Sequence, residues 1–309
     1  MRTRTLFAAT TLLFVGSVSA SAGTPITPTK ILGGPEYQVE ASSNGTYLGW
    51  TQNSERKPRS WHAYVSTDPV AGKTRLDAPG TNGFFGDIDT DSNEAVYQQT
   101  DGGVSDIYLV LDVSIPVPTP LDDINTSRWE WQPRLSDQYV LFTRDYPRLG
   151  VRRLFLYDRA TFLSMLLKEV AFGTLLITGD VGSSHATWTI CGRTCNAWIY
   201  DIDMQTPTKI PTVNDRPQYS PVVDEVNEKV YWVRSEPACG AGVGFWKAPL
   251  SDPSAETNIA SLRAGIDTGW NASLERDIVN QRIDLIFSRH NCSTGEANIF
   301  ELREVDTLP

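Results

Sequence analysis

The stretch GDIDTDSNEAVYQQT, Gly86–Thr100, has an acidic first half and an apolar, alternating second half. Alternating carboxylates such as Asp87, Asp89 and Asp91 begin many calcium-binding loops, in which successive oxygen ligands converge on the ion. The same stretch also fits a β-hairpin turn, with the residues after Asn93 alternating between a buried and an exposed face. Recurrence of the pattern elsewhere in the chain decides between a metal site and a hairpin.

The pattern recurs five more times, each time as a polar turn followed by alternating apolar and aromatic residues. The copies are VEASSNGTYLGWTQ (Val39–Gln52), PRLSDQYVLFTRD (Pro133–Asp145), DVGSSHATWTI (Asp180–Ile190), DEVNEKVYWVRS (Asp224–Ser235) and LERDIVNQRIDLIFSR (Leu274–Arg289). Aligned on the turn, successive copies lie 49, 43, 48, 43 and 53 residues apart. This period is typical of β-propellers, in which each repeat forms one blade.

Two further elements complete each unit. The first is a strand with a central aromatic residue: Tyr64, Tyr108, Phe155, Trp198, Trp246 and Phe300. The second is a shorter element that follows in the first five units as KTRLDA, PTPLDD, SMLLKE, PTKIPT and ETNIASL. The sixth unit lacks it, but PTKIL at Pro28–Leu32 resembles PTKIP at Pro207–Pro211.

We therefore predict an all-β fold, a six-bladed β-propeller over residues 23–309 with four antiparallel strands per blade. The N-terminal strand completes the last blade, which closes the ring and removes an open sheet edge. One segment, Ala160–Ile177, also has the spacing of an amphipathic helix. The repeat register instead predicts an outer strand, a turn and an inner strand there.

Several of these stretches resemble the repeats of a known family. PQYSPVVDEVNEKVYWVRS and WQPRLSDQYVLFTRD are similar to the xPxWSPDGxxIAFxS repeat of TolB-like propellers. IYLVLD and LFLYDRAT are similar to the IYVxD strand that follows it in that family. The resemblance implies an exported propeller that binds proteins. TolB itself also carries an N-terminal α/β domain, for which we expect no room before the first blade.

The repeat assigns the acidic stretch to a hairpin turn. Asp89–Glu94 occupies the position of the first hairpin turn of blade two. A calcium loop of the EF-hand type also needs a glycine after the third carboxylate and a glutamate at its last position. Ser92 and Gln98 occupy those positions. We predict a hairpin turn and no metal ion.

The N-terminus has the features of a secretory signal peptide. Arg2 and Arg4 precede the apolar run Leu6–Val18, and small residues follow it. We predict a signal peptide over residues 1–22, with cleavage after Ala22 or after Ala20. The mature protein is expected to be secreted or periplasmic, with no membrane span.

The charge of the mature chain restricts its partners. Without the two signal arginines, 25 basic residues remain against 37 acidic ones, a net charge of −12. An acidic chain repels polyanions, so we expect neither nucleic acid nor an anionic membrane as a partner. A monomer is expected.

Export favours disulfides for the cysteines of the mature chain, Cys191, Cys195, Cys239 and Cys292. Cys239 and Cys292 each lie twelve residues after the aligned turn residue of their blade, which predicts a Cys239–Cys292 bridge between blades five and six. Cys191 and Cys195 would then close the corresponding hairpin of blade four. A Cys195–Cys239 bridge is the rival pairing.

The sequence carries no recognisable catalytic constellation. The G-x-S-x-G motif of hydrolase domains is absent. The histidines, His62, His185 and His290, fall at unequal positions in their blades, which argues against a shared metal centre. We expect no catalytic residue, no metal and no cofactor.

Loops between blades and loops between second and third strands share one face of a propeller. Candidate binding residues there are the flat aromatic side chains Trp129, Trp131, Tyr219 and Trp270 and the polar residues Asp123, Arg128, Asp215, Arg216 and Asp267. Aromatic residues at the start of an inner strand can instead pack between blades.

Two functions of different class remain open. The leading hypothesis is a non-catalytic binding module that engages a protein or peptide through this loop face and the channel mouth. The alternative is an enzyme acting on a polysaccharide, a glycosidase or lyase with carboxylates near the axis. Two carboxylates ~5–10 Å apart beside exposed aromatic residues would favour the enzyme. A channel lined by small and apolar residues would favour binding.

Overall fold

The computed structural model describes residues 27–34, 36–54, 57–212, 216–235, 243–262, 266–291, 294 and 296–308, with the backbone alone at 54, 57–59, 235, 262 and 266–271. The predicted signal peptide and the predicted Cys239–Cys292 bridge lie outside the described residues. Within these ranges, no helix is long and apolar enough to cross a membrane.

The described residues form six antiparallel sheets of four strands. Blade one contains β2 (Gln38–Ser43), β3 (Leu48–Ser54), β4 (Lys57–Ser66) and β5 (Thr74–Arg75). Blade two contains β6 (Asn82–Ile88), β7 (Ala95–Asp101), β8 (Val104–Val110) and β9 (Pro118–Pro120). Blade three contains β10 (Glu130–Leu135), β11 (Tyr139–Tyr146), β12 (Val151–Asp158) and β13 (Leu163–Ala171). Blade four contains β14 (Leu175–Val181), β15 (His185–Cys191), β16 (Cys195–Asp201) and β17 (Thr206–Lys209). Blade five contains β18 (Gln218–Asp224), β19 (Lys229–Ser235), β20 (Val243–Pro249) and β21 (Thr257–Leu262). Blade six contains β22 (Ile266–Asp277), β23 (Arg282–Asn291), β24 (Ala297–Thr307) and β1 (Thr29–Leu32).

The ring is closed by the N-terminal strand. β1 pairs antiparallel with β24, with Lys30 opposite Phe300 and Leu32 opposite Ile299. Leu32 is buried against Trp50 of the first blade and Ile299 of the last. The inner strands β2, β6, β10, β14, β18 and β22 each contact the next around the axis, and β22 contacts β2. The predicted six-bladed propeller and its closure are confirmed.

The two ambiguous stretches are also resolved by the fold. Ala160–Ile177 forms the outer strand β13, a turn and the start of β14, as the repeat register predicted. Asp89–Glu94 is the hairpin turn between β6 and β7, closed by a hydrogen bond of 3.0 Å from the Asp89 amide to the Glu94 carbonyl. The Asp89 carboxylate accepts hydrogen bonds from the Asp91 amide and the Ser92 hydroxyl, so it organises the turn itself.

Each blade has an aromatic pair at the same register of its second and third strands. The pairs are Trp50 with Tyr64, Tyr97 with Tyr108, Phe142 with Phe155, Trp188 with Trp198, Trp232 with Trp246 and Phe287 with Phe300. The first member of every pair is at most 1% exposed, because it lies between its own blade and a neighbour. The repeated aromatic residue is thus the core of each blade, since aromatic side chains bury the largest apolar areas.

Blade four carries a disulfide at the end of its central hairpin. Cys191 and Cys195 are bonded, with an S–S distance of 2.07 Å, and they face each other as the last pair of β15 and β16. The predicted hairpin bridge is therefore confirmed, and the rival Cys195–Cys239 pairing is excluded.

Inner strands of neighbouring blades approach one another closely at two glycines. A Cβ atom at Gly86 would lie 2.5 Å from the carbonyl oxygen of Pro133 in the next blade. A Cβ atom at Gly179 would lie 2.4 Å from the carbonyl oxygen of Pro221. Such distances are shorter than any van der Waals contact, so glycine lets these blades meet.

We expect Gly179→Ala to lower the free energy of unfolding by about 1–3 kcal/mol, because the added methyl group must push the backbones of blades four and five apart. Denaturant titration of the purified variant measures this loss. Gly72→Ala is the matched control, since a Cβ atom there meets nothing within 4 Å. An equal effect of the two substitutions would contradict the proposed close approach.

Candidate functional site

Three of the predicted binding residues lie together on blade three. Arg128 and Trp129 belong to the connection that precedes β10, and Trp131 is the second residue of that strand. The rings of Trp129 and Trp131 lie 4.9 Å apart. The Asp145 amide donates to the Trp129 carbonyl at 3.0 Å, which fixes this connection against the β11–β12 hairpin.

The base of this surface is held by one carboxylate. Asp145 accepts two hydrogen bonds from Arg152, at 2.5 and 3.0 Å, and one from the indole nitrogen of Trp131 at 3.1 Å. The Arg152 guanidinium in turn lies 5.5 Å from the Trp131 ring centroid. Bidentate pairs of this kind fix a guanidinium in one orientation. Asp145 therefore sets the position of both the arginine and the tryptophan.

Tyr146 lies between two further arginines. The guanidinium of Arg128 is 4.7 Å from its ring centroid, and that of Arg153 is 4.4 Å away. Cations over an aromatic face are attracted by its quadrupole. Arg153 also donates to the Glu169 carboxylate at 2.7 Å, and this hydrogen bond raises the pKa of Arg153.

A cavity of about 510 Å³ opens beside Tyr146. Its lining residues are Ser127, Arg128, Tyr146, Pro147, Arg148 and Leu149. Pro147–Leu149 is a short 3-10 helix that ends at Gly150, whose φ of 67° lies in the left-handed region that favours glycine. Among the described residues, neither Arg128 nor Arg148 pairs with a carboxylate. The cavity thus presents two uncompensated positive charges.

Large exposed apolar side chains lie on the same loop face, and one of them, Leu149, lines the cavity. Leu149 is 62% exposed, and Phe172 and Leu175 are each 46% exposed. The Phe172 amide donates to the Gly150 carbonyl at 2.8 Å, which brings the turn after β13 against the residue that follows Leu149. We call the basic and apolar groups together the blade-three surface: Arg128, Trp129, Trp131, Tyr146, Arg148, Leu149, Phe172 and Leu175.

The other predicted binding residues lie elsewhere or outside the described side chains. Asp123 accepts a hydrogen bond of 3.1 Å from the Tyr157 hydroxyl. Tyr219 is half-buried and packs against core residues on both sides of β18. Arg216 is exposed in the connection before that strand. Asp215 is outside the described residues, and Asp267 and Trp270 lie on β22, where the backbone alone is described.

The opposite end of the propeller carries an acidic cavity of about 270 Å³, among the hairpin turns that end the inner strands. Its acidic lining residues are Asp87, Asp89, Asp91, Asp137, Asp180 and Glu225. Arg276 is the basic residue of the described lining, and it pairs with Asp91 at 2.9 Å. Aromatic side chains are not part of that lining.

Beneath this cavity, one buried arginine lies among carboxylates from three other blades. Arg134 is 2% exposed and donates to the Gly86 carbonyl at 2.8 Å, and its guanidinium lies 3.9 Å from Asp87. Burial raises the pKa values of Asp87, Asp180 and Glu40, and the charge of Arg134 opposes the rise in each case. One positive charge therefore serves three carboxyl groups.

Two carboxyl groups of the acidic cavity have opposite pKa shifts. Burial raises the pKa of Asp87 to about 7, and nearby Asp180 adds to the rise. Burial also acts to raise the pKa of Glu225, but hydrogen bonds from His185, Ser183 and Ser184 lower it to about 2. Asp87 thus retains a proton near neutral pH while Glu225 is ionised.

Three carboxylates on blade six lie close enough together to bind a metal ion. Oxygens of Glu275, Asp284 and Glu301 lie within 4.8 Å of one another. Arg282 binds Asp284 at 2.7 Å and Arg303 binds Glu301 at 2.6 Å. Because arginines already neutralise two of the three carboxylates, the group is an ion-pair network on the blade.

Sequence reasoning missed several of these residues. The inner-strand position of Arg134 holds Asp87 in blade two and Asp180 in blade four, so the repeat gave no signal for an arginine there. Arg148 and Leu149 lay within a loop assigned to the correct face, but nothing distinguished them from other loop residues. Phe172 carried a usable signal, since a large apolar residue in a turn between two strands is unusual.

The raised pKa of Asp87 predicts a pH-dependent stability. The aspartate has a pKa of 3.8 in the unfolded chain, whereas burial raises its pKa to about 7 in the native protein. The free energy of unfolding should therefore fall as pH rises from about 4 to 7. Because one pKa unit corresponds to about 1.4 kcal/mol, the free energy of unfolding of Asp87→Asn should rise by up to about 4 kcal/mol relative to that of the wild type across this pH range.

Denaturant titrations of both proteins between these pH values test the expectation, with the exposed Asp203→Asn as a control for loss of one charge. Glu225 does not mask the effect, because the stability that it contributes is lost only as pH falls towards 2. A constant difference between wild type and Asp87→Asn at every pH would refute the raised pKa.

Comparisons with known proteins identify the fold. No family model and no curated protein sequence matches the chain. Among solved structures, a putative TolB from Agrobacterium tumefaciens matches with a TM-score of 0.58 and 14% identity, over 87% of this chain and 91% of that one. TolB from Acinetobacter baumannii matches with a TM-score of 0.57 and 11% identity, over 85% of this chain and 64% of that one, just under two thirds of its length.

An enzyme has a comparable likeness. Oligogalacturonate lyase from Vibrio parahaemolyticus matches with a TM-score of 0.51 and 10% identity, over 90% of this chain and 82% of that one. At these identities the matches concern the backbone architecture and not the activity. The chain therefore has the TolB-like six-bladed β-propeller fold that its repeats predicted.

Proposed function

We propose that this protein is an exported, non-catalytic binding module that engages a protein partner through the blade-three surface. The observation that carries the proposal is the joining of two uncompensated arginines to three exposed, large apolar side chains on one loop-rich face. Solvated loops of a monomer normally lack such a combination, and exposed apolar groups rimmed by polar ones mark interaction sites.

The composition of this surface fits a protein partner. Residues that dominate binding energy at protein interfaces are enriched in tryptophan, tyrosine and arginine. The surface has all three types, and the contacts of Asp145 hold Trp131 and Arg152 in place before any partner binds. Pre-organised side chains lose less conformational entropy on binding. This part of the molecule is therefore suited to recognition.

Export is the second part of the proposal. The Cys191–Cys195 bridge is typical of proteins that fold in an oxidising compartment. The predicted signal peptide over residues 1–22 and the fold shared with TolB proteins support the same location. We infer a secreted or periplasmic protein.

The alternative of a polysaccharide-acting enzyme has less support. Oligogalacturonate lyase shares the fold, and the acidic cavity supplies carboxylates. Catalysis on a sugar chain would need those carboxylates beside aromatic platforms. Here the cavity lies at the hairpin-turn end, whereas Trp129 and Trp131 lie at the other end of the inner strands. The two features are therefore not combined in one site.

Site-specific photo-crosslinking tests the binding function. We expect a crosslinker at Phe172 of the mature protein to capture one recurring protein from the envelope and secreted fractions of the source organism. A crosslinker at Met204, which is 74% exposed in a turn of blade four, should not capture it. Binding of the purified partner, measured by calorimetry, should weaken at least about tenfold in Leu149→Glu.

Two other results would contradict the proposed function. Unchanged affinity in Leu149→Glu would place the partner on another surface and refute the proposed site. Adducts that appear only with glycans would refute a protein-binding module and favour the polysaccharide enzyme.

A further inference from the structure

We infer that the partner segment bound by the blade-three surface is both acidic and apolar, with a carboxylate held between Arg128 and Arg148 and an apolar side chain on Leu149 and Phe172. This inference rests on the proposed function and names the chemistry of the partner. It follows from the charges and geometry of the cavity beside Tyr146 and from the exposed apolar side chains on the same loop face.

The charges of the surface select an anion. Four arginines lie on or beside it, but Arg152 is neutralised by Asp145 and Arg153 by Glu169. Arg128 and Arg148 have no carboxylate partner among the described residues. In a chain with a net charge of −10, such a pair is an isolated positive site. A carboxylate from outside would form the missing charge-assisted hydrogen bonds.

The geometry holds the two guanidinium groups on one cavity. Arg128 lies over the Tyr146 ring, with 4.7 Å between guanidinium carbon and ring centroid. Arg148 lies in the short 3-10 helix that begins at Pro147, and Gly150 closes that helix by donating to the Pro147 carbonyl at 3.2 Å. Both arginines line the cavity with the Ser127 hydroxyl, a further hydrogen-bond donor. A bound carboxylate would therefore meet donors on several sides.

The exposed apolar side chains distinguish a peptide from an anionic polysaccharide. Leu149, Phe172 and Leu175 lie on the same loop face as the arginines and are exposed. Covering their side chains with apolar groups of a partner would stabilise the complex, because apolar surface would be removed from water. A polyuronate carries carboxylates but no large apolar side chains. A peptide that alternates acidic and apolar residues can contact both the arginine pair and the exposed apolar side chains.

The test uses the mature protein and labelled twelve-residue peptides, with binding measured by fluorescence anisotropy. One peptide alternates glutamate and leucine, a second alternates glutamine and leucine, and a galacturonate oligomer of matched charge is the third probe. We expect the glutamate–leucine peptide to bind at least about tenfold more tightly than the other two probes. Its affinity should fall as salt concentration rises, because exposed charge pairs are screened.

Variants of the arginines locate the effect. The double substitution Arg128→Gln, Arg148→Gln should reduce binding of the glutamate–leucine peptide about tenfold, to the level of the glutamine–leucine peptide. Arg193→Gln, at an exposed position on the disulfide hairpin of blade four, is the matched control and should leave binding unchanged. Thermal unfolding of each variant checks that the fold is retained.

The failures of the two proposals give different results. Equal binding of both peptides, or of neither, overturns the acidic partner but leaves the binding function to the crosslinking experiment. Loss of peptide affinity in Arg193→Gln equal to that in the double variant also overturns the site. Tighter binding of the galacturonate oligomer than of either peptide refutes the acidic peptide and the protein-binding module together.

Discussion

The pairing of β1 with β24 is the contact on which the rest of this molecule depends. It joins residues near the two ends of the described chain, with Lys30 opposite Phe300, and so turns a row of blades into a ring. A row would leave the edge of β24 unpaired and one face of the last blade uncovered. The closing strand supplies both the missing hydrogen bonds and, through Leu32, an apolar contact between the last blade and the first.

Closure also places side chains from different blades around one axis. Arg134, Asp87 and Asp180 come from three blades and meet because the inner strands form a continuous ring. The cost of burying these charges is limited by the shared guanidinium and by the proton that Asp87 keeps to about pH 7. The inner strands of these blades thus share a charged cluster whose stability depends on pH.

The two ends of the propeller have different chemistry. The hairpin-turn end is acidic, with carboxylates that are mostly tied into their own turns or to the neighbouring blade, as Glu225 is to Ser183 and His185. The loop end carries the basic and apolar groups of blade three, with Arg148 lacking a carboxylate partner among the described residues. The first arrangement explains how neighbouring blades are held together. The second has charged and apolar groups without partners among the described residues, which is why we propose it as the recognition surface.

The sequence by itself determined the backbone. The recurring turn and the aromatic residue of each third strand predicted six blades, and PTKIL at Pro28–Leu32 predicted how they close. The repeat also identified the acidic stretch at Gly86 as a turn and favoured a Cys191–Cys195 hairpin bridge over the rival Cys195–Cys239 pairing. These features are local or periodic, so a single chain displays them without its partners in space.

Only the tertiary structure decided which side chains meet. Arg134 and Asp87 are 47 residues apart in the chain, and nothing in the repeat indicates that their side chains meet. The same holds for Leu149 and Phe172, which become neighbours because the β11–β12 hairpin and the turn after β13 share a hydrogen bond. Periodicity specifies the core that every blade needs. Axis and rim positions are free of that requirement, so their residues differ from blade to blade and their contacts follow from ring geometry alone.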